Sequence, residues 1–224
     1  MNFYQMIHPQ KISDFVPDDF KQIQKLEMLT NGKLMFPSPA KRAIILHGKF
    51  GTGKTELAKL LPALIEKNLV GNFDDNPFAS DLYRFVSCHS SNPKAAVEAA
   101  MPSTVSFNKS RKHYVILDEF DNIKADFQRS LKSFMTEHDH CILIMTTNYL
   151  SKVDLGVRSR SHEISFENPS EELWLKRCVE ICEMSSIIPN QDYLKNLITA
   201  NNCDARSIMS DLEEYIMLYD TKVA

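Results

Sequence analysis

The octapeptide Gly48-Lys49-Phe50-Gly51-Thr52-Gly53-Lys54-Thr55 stands between a short apolar run, 43–46, and a stretch with helical spacing, 54–67. It matches G-x-x-x-x-G-K-[ST] in a strand, loop and helix setting, which ties three consecutive elements to one job. Glycines let the loop curl until successive backbone N–H groups face one anion, and the helix N-terminus adds its positive dipole. In that arrangement Lys54 reaches the β- and γ-phosphate oxygens of a nucleoside triphosphate, and Thr55 ligates Mg2+. Residues 48–56, ending in Glu56, are therefore the expected ATP- or GTP-binding element.

A strand feeding such a loop belongs to an α/β fold, and the rest of the chain follows suit. Short β-rich runs at 43–46, 84–88, 114–118, 142–147 and 162–166 alternate with helical spacing at 54–67, 93–100 and 126–138. Helices between parallel strands imply right-handed crossovers and a three-layer core. After Asn168-Pro169-Ser170 no further β-rich run occurs, and Ser170, Asn190 and Asp204 are placed to start three helices. The expected division is a nucleotide-binding core, 1–167, and a small all-α lid, 168–224, with a surface loop at 70–81. Hydrophobic residues at 43% and charged residues at 25% are ordinary for a globular chain of 224 residues. The near-balanced charge, net -3, argues against a purely electrostatic nucleic-acid coat, so any DNA contact is a local patch. The longest apolar runs, such as 141–145, fall far short of the roughly 20 residues of a membrane span, and residues 1–10 lack a secretory signal pattern. An intracellular, reducing setting is expected. The five cysteines fit it, with Cys178 and Cys182 one turn apart as small core hydrophobes rather than half a metal site.

Beyond the loop, four groups of residues carry chemistry. The apolar run 114–117 ends in Asp118-Glu119, placing Asp118 at the sheet's carboxyl edge to hold Mg2+ through water. Glu119, one residue on, polarises an attacking water. Thr146-Thr147-Asn148 closes the next run, and Asn148 either orients that water or simply forms a turn. Arg158 and Arg160 precede the last strand; alone they suit a solvated surface, but in this kind of sheet an arginine there points toward a neighbouring subunit's γ-phosphate. Arg206, in Asp204-Ala205-Arg206, either folds over the nucleotide or lies on a helix surface.

Together these residues resemble the AAA+ ATPases, and within them the clamp-loader small subunits of eukaryotes, archaea and T-even-type phages. Ile7-His8-Pro9-Gln10-Lys11-Ile12-Ser13-Asp14-Phe15 resembles the family's N-terminal Y-R-P-x-x-x-x-D-[FE] segment, and residues 85–92 its second strand and N-[AG]-S-D turn. Leu117-Asp118-Glu119-Phe120-Asp121, with Gln128, Leu131, Phe134 and Met135, is similar to the phage form, and 148–153 to the eukaryotic one. Arg158-Ser159-Arg160-Ser161 resembles the R-S-R-C arginine-finger motif and Asp204-Ala205-Arg206 the sensor-2 D-x-R, so the match covers about residues 5–220.

The resemblance implies that the loop and Lys54 bind ATP, Thr55 and Asp118 Mg2+, and that Glu119 activates water with Asn148 as sensor 1. Val16 would lie near the adenine, Arg206 would be sensor 2, and Arg160 the finger acting in trans. Function would then need an assembly of AAA+ subunits, in a ring or spiral, loading a sliding clamp or related factor on primed or single-strand/duplex-junction DNA. Lys94, Lys124, Arg129 and Lys132 would face the DNA inside it; a charged solvent face is their other reading. Lys49 and Phe50 stand where the family has prolines or serines, Ser161 where it has cysteine, and the chain ends at Ala224, where a helical collar would follow. Two further readings fit the same motifs. One is an ATP-gated switch of the helicase-loader or transposition-regulator kind, and the other a viral helicase ATPase. The expected location is the cytoplasm, the host's for a virus, or the nucleus in a eukaryote.

Overall fold

The computed structural model describes residues 9–71, 82–90, 92–101 and 108–223. Most of the expected loop at 70–81, together with Ile7, His8 and Ser91 of the family-like segments, lies outside the described residues. Five strands form within one residue of their expected bounds: β1 (Ala43–His47), β2 (Tyr83–Ser87), β3 (His113–Asp118), β4 (Cys141–Thr147) and β5 (Ser161–Ser165). They make one parallel sheet in the order β2-β3-β4-β1-β5, with Ala43 opposite Leu143 on one side and Ser161 on the other.

Side chains alternate across a strand, so each inner strand feeds two layers. Ile44, Leu46, Ile116 and Ile144 pack with Leu26 and Leu29 of α1 (Phe20–Thr30) and Leu57, Leu61 and Ile65 of α2 (Lys54–Val70). Ala43, Ile45, Val115 and Leu143 pack with residues of α3 (Pro93–Ala100), α4 (Ala125–Glu137) and α5 (Leu155–Ser159) on the opposite face. Covering both faces is what a parallel sheet needs, and it explains the unbroken apolar runs of β3 and β4. α2 runs three residues beyond the expected 67, and α4 begins one residue before the expected 126. α1 and α5 were absent from the sequence expectation; Asp19 and Asp154 start them by accepting from Lys21 N and Gly156 N. At the far end of β3, buried Glu66 of α2 accepts from Tyr114 Oη (2.9 Å) and Ser110 N (2.8 Å).

Three helices follow the sheet. Ser170 caps α6 (Glu171–Met184) through Leu173 N, Asn190 caps α7 (Gln191–Ala200) through Tyr193 N, and α8 spans Ala205–Val223. Trp174, Cys178, Ile181, Leu194, Ile198, Ile208 and Leu212 form a core of their own between them. Cys178 and Cys182 are fully buried, and burial pushes their thiols up to about 12 and about 11. They stay protonated and serve as small hydrophobes. Among the described residues no group of three or more His, Cys, Asp or Glu is arranged to hold a metal, and no helix is long and apolar enough to cross a membrane.

Candidate nucleotide site at the carboxyl edge of the sheet

The loop after β1 needs its glycines for stated reasons. Gly48 has φ +138°, and a Cβ there would stand 1.8 Å from the Phe166 carbonyl. Gly51, at φ +70°, packs so closely on the residue before α8 that a Cβ would lie 1.5 Å from Asp204 Oδ2. Lys54 opens α2 and turns its ammonium back under the loop, donating to the Gly48 carbonyl (3.0 Å), the Lys49 carbonyl and Thr52 Oγ1 (3.4 Å). Only 7% exposed, its amine is lowered to about 8 by burial, which outweighs attraction from Glu167, Asp118 and Asp121.

Beside it, three elements converge on one carboxylate. Asp118 Oδ1, at the end of β3, accepts from Thr55 Oγ1 (2.8 Å) and from Thr146 Oγ1 (2.7 Å) of β4. The Thr146 hydroxyl also accepts from Glu119 N at 2.9 Å, holding Glu119 in the left-handed region at φ 56°. In this turn the Glu119 carboxylate lies 3.8 Å from His89 Nδ1. Asp121 Oδ1 accepts from Thr147 Oγ1 (2.7 Å) and Asn148 N (3.3 Å), which fixes the turn carrying Asn148.

These groups border a cavity of about 510 Å3. Val16, Phe15, Trp174 and Met209 give it an apolar wall suited to a base; Lys54, Arg177 and Arg206 give it cationic groups suited to phosphates. Phe50, Gly51, Thr52, Gly53, Thr55, Glu56, Asp118, Glu119 and Asn148 also reach the wall; Gly48 and Lys49 do not, and serve through their carbonyls on Lys54. The start of α8 is bonded to the loop, since Ala205 N donates to the Gly51 carbonyl at 2.8 Å while Asp204 Oδ1 caps Ser207 N at 3.0 Å. Arg206 therefore enters the cavity from a helix anchored on the loop itself. Six participants were not among the expected site residues: Phe15, Asp121, Thr146, Trp174, Arg177 and Met209. Arg177, 3.3 Å from Glu180, sits one turn after Trp174 on α6, and an arginine inside that helix's apolar face was the signal available.

The two arginines before β5 lie at the other edge of the sheet. Arg158 makes a two-point pair with Glu163 (2.8 and 3.2 Å), which raises its pKa further. Arg160 donates to the Gly156 carbonyl and Thr136 Oγ1, and its own carbonyl accepts from Arg42 N, just ahead of β1. A five-residue strand at about 3.3 Å per residue separates that edge from the loop, roughly 16 Å. Arg160 thus stands well away from the cavity of its own chain. Of the expected DNA-facing residues, Lys124 precedes α4, Arg129 pairs with Asp126, and Lys132 lies over Gly156. Lys94 on α3 lies 5.8 Å from the Phe127 ring of α4 and 3.8 Å from Glu98, so three of the four lie on or at the start of α4 with the fourth against it.

A parallel sheet with a glycine-rich loop after β1, a lysine at the following helix start and paired acids after β3 defines the P-loop nucleoside-triphosphatase class. The family model described as "ATPase family associated with various cellular activities (AAA)" matches residues 44–168, more than half of the chain. The chain belongs to that family. It is 28% identical over 176 residues to the replication factor C large subunit of Halorubrum lacusprofundi, covering 76% of this chain and 35% of that one. To the sliding-clamp-loader large subunit of Escherichia phage RB69 it is 28% identical over 222 residues, 94% of this chain and 63% of the relative. The corresponding subunit of Enterobacteria phage T4 is 29% identical over 184 residues, 77% and 53% of the two chains. The chain thus spans from about a third to under two thirds of these relatives' length. Among solved structures, a point mutant of Thermotoga maritima RuvB superposes with a TM-score of 0.67 at 15% identity, over 96% of this chain and 68% of that one, a likeness of fold.

Proposed function

We propose that this chain is an intracellular, ATP-hydrolysing DNA replication factor of the clamp-loader type, one subunit in an assembly of AAA subunits. The observation that carries the reading is the hydrogen-bonded set Thr55–Asp118–Thr146–Glu119, which joins the loop, β3 and β4 at the wall of the cavity. The names of the relatives, replication factor C and sliding-clamp loader, support the biological role. Under this reading the core, 1–167, and the lid, 168–224, close on one nucleotide from two sides.

The donor set fits the expected ion. Thr55 Oγ1 and Asp118 Oδ1 are two hard oxygens 2.8 Å apart with no nitrogen or sulfur donor, as Mg2+ prefers when phosphates and waters supply the remaining positions. When bound, Mg2+ neutralises developing charge on the phosphates. The chain's own groups do the rest. Loop amides and the Lys54 ammonium hold the phosphates, and Asn148 orients the attacking water. The Glu119 carboxylate, which makes no bond to Asp118 or Thr55, accepts that water's proton. Arg206 and Arg177 reach the nucleotide from the lid, and Arg160 completes a neighbour's site. Glu56 pairs with Lys59 at 2.7 Å and shapes the first turn of α2.

Mg2+-dependent hydrolysis of ATP, measured with and without primed DNA and a sliding clamp, tests the proposal. DNA and clamp should raise the rate, and Glu119→Gln should remove it. A wild-type rate no higher than that of Glu119→Gln would refute hydrolysis at this site.

A further inference from the structure

Arg160 is held in place, and its holder belongs to a different element. Its Nε–H donates to Thr136 Oγ1 at 3.2 Å, and a terminal N–H donates to the Gly156 carbonyl at 2.9 Å. Thr136 lies in the last turn of α4, and its own hydroxyl proton goes to the Lys132 carbonyl at 3.1 Å. A hydroxyl has one proton and two lone pairs, so a proton directed into the helix leaves a lone pair facing the guanidinium. The backbone of the same turn is clamped as well. Arg42 donates to the Met135 and Thr136 carbonyls at 3.1 and 3.4 Å.

Thr136 therefore stands between two guanidiniums, one on its hydroxyl and one on its carbonyl, at the rim of a groove of about 310 Å3 at the amino edge of the sheet. Gly156 supports the arrangement from α5. The Lys132 stem lies over it so closely that a Cβ on Gly156 would stand 2.3 Å from Lys132 Cδ. A long, flexible arginine loses rotamer freedom when it must reach one point, and fixing it beforehand lowers that cost.

We propose that Thr136 is a positioning residue for Arg160, presetting the guanidinium that completes the neighbouring subunit's nucleotide site. The inference rests on the reading of Arg160 as acting in trans. The chemistry makes a sharp distinction between two small substitutions. Thr136→Val keeps the shape and removes the acceptor, whereas Thr136→Ser keeps the hydroxyl.

The test uses mixtures in which one chain hydrolyses and the other only donates its arginine. Arg160→Ala protein mixed with Glu119→Gln protein comes first, because recovered hydrolysis shows trans action. Absence of recovery overturns that reading, and the present proposal with it. Next, Glu119→Gln carrying Thr136→Val replaces the donor. Recovered rate should fall about tenfold, the scale of one hydrogen bond to a charged group, and Thr136→Ser in the same donor should restore it. As the hydrolysing partner of a Glu119→Gln donor, Thr136→Val protein should match Arg160→Ala protein. A Thr136→Val donor as good as the unmodified donor overturns the proposal. So does an equal loss in both roles, which is the mark of damaged folding or assembly rather than of a displaced arginine.

Discussion

Lys54 combines two requirements that pull against each other. Burial under the loop lowers its amine to about 8, while phosphate binding requires the charged form. A bound triphosphate brings negative charge to the amine and raises its pKa. At about pH 9, one unit above the free-site value, most unliganded molecules carry a neutral Lys54, so binding should take up close to one proton; at about pH 7 uptake should be small. Titration calorimetry in buffers of different ionisation enthalpy reads this directly, and equal, negligible uptake at both pH values would contradict it. Thr146 offers a second residue-level test. Its hydroxyl bridges Asp118 and the Glu119 backbone, so Thr146→Val should cost about 1.5–3 kcal/mol at the transition state, a tenfold or larger fall in hydrolysis, with ATP affinity little changed. A loss confined to ATP affinity would mean that the bridge serves binding rather than catalysis.

At the scale of elements, the strands were more legible than the short or mixed helices. β1, β3 and β4 are covered on both faces and so appear in the sequence as apolar runs; the bounds of all five strands were readable to within a residue. α5, with five residues, is too short to show a helical period, and α1 buries a narrow stripe of Ile23, Leu26 and Leu29 between lysines and glutamines. The site divided in the same way. Lys54 and Thr55 open the helix after the glycine loop, and Asp118 and Glu119 end β3, so all four could be placed by motif. Thr146, Asp121, Trp174 and Arg177 join them through tertiary packing, which no local spacing announces. The helices after the sheet have their own packing, and it can be challenged separately. Leu194 is fully buried there, and Leu194→Ala should destabilise the protein by about 2–5 kcal/mol in denaturant unfolding. A smaller loss would show that this core collapses readily around the missing side chain.

For the whole molecule, the proposed function would divide the work between the two edges of the sheet. The carboxyl edge carries the loop, the acids and the contacts of α6 and α8; the amino edge carries Arg160, about one strand length away. Under the proposed reading, such a chain would complete its chemistry only beside another. Basic residues on α4 would then turn toward DNA inside the assembly, and reversing Arg129 and Lys132 to glutamate should weaken DNA stimulation of hydrolysis while leaving ATP binding intact. Unchanged stimulation would remove that helix from the DNA surface.

An ATPase site shared between chains makes hydrolysis depend on how often chains meet. The most direct measurement is the ATP hydrolysis rate per chain, with Mg2+ and primed DNA, as protein concentration rises, for wild type, Arg160→Ala and Glu119→Gln. The rate per chain should climb with concentration for wild type, stay near zero for each variant alone, and reappear when the two variants are mixed. A wild-type rate independent of concentration and untouched by Arg160→Ala would contradict the account.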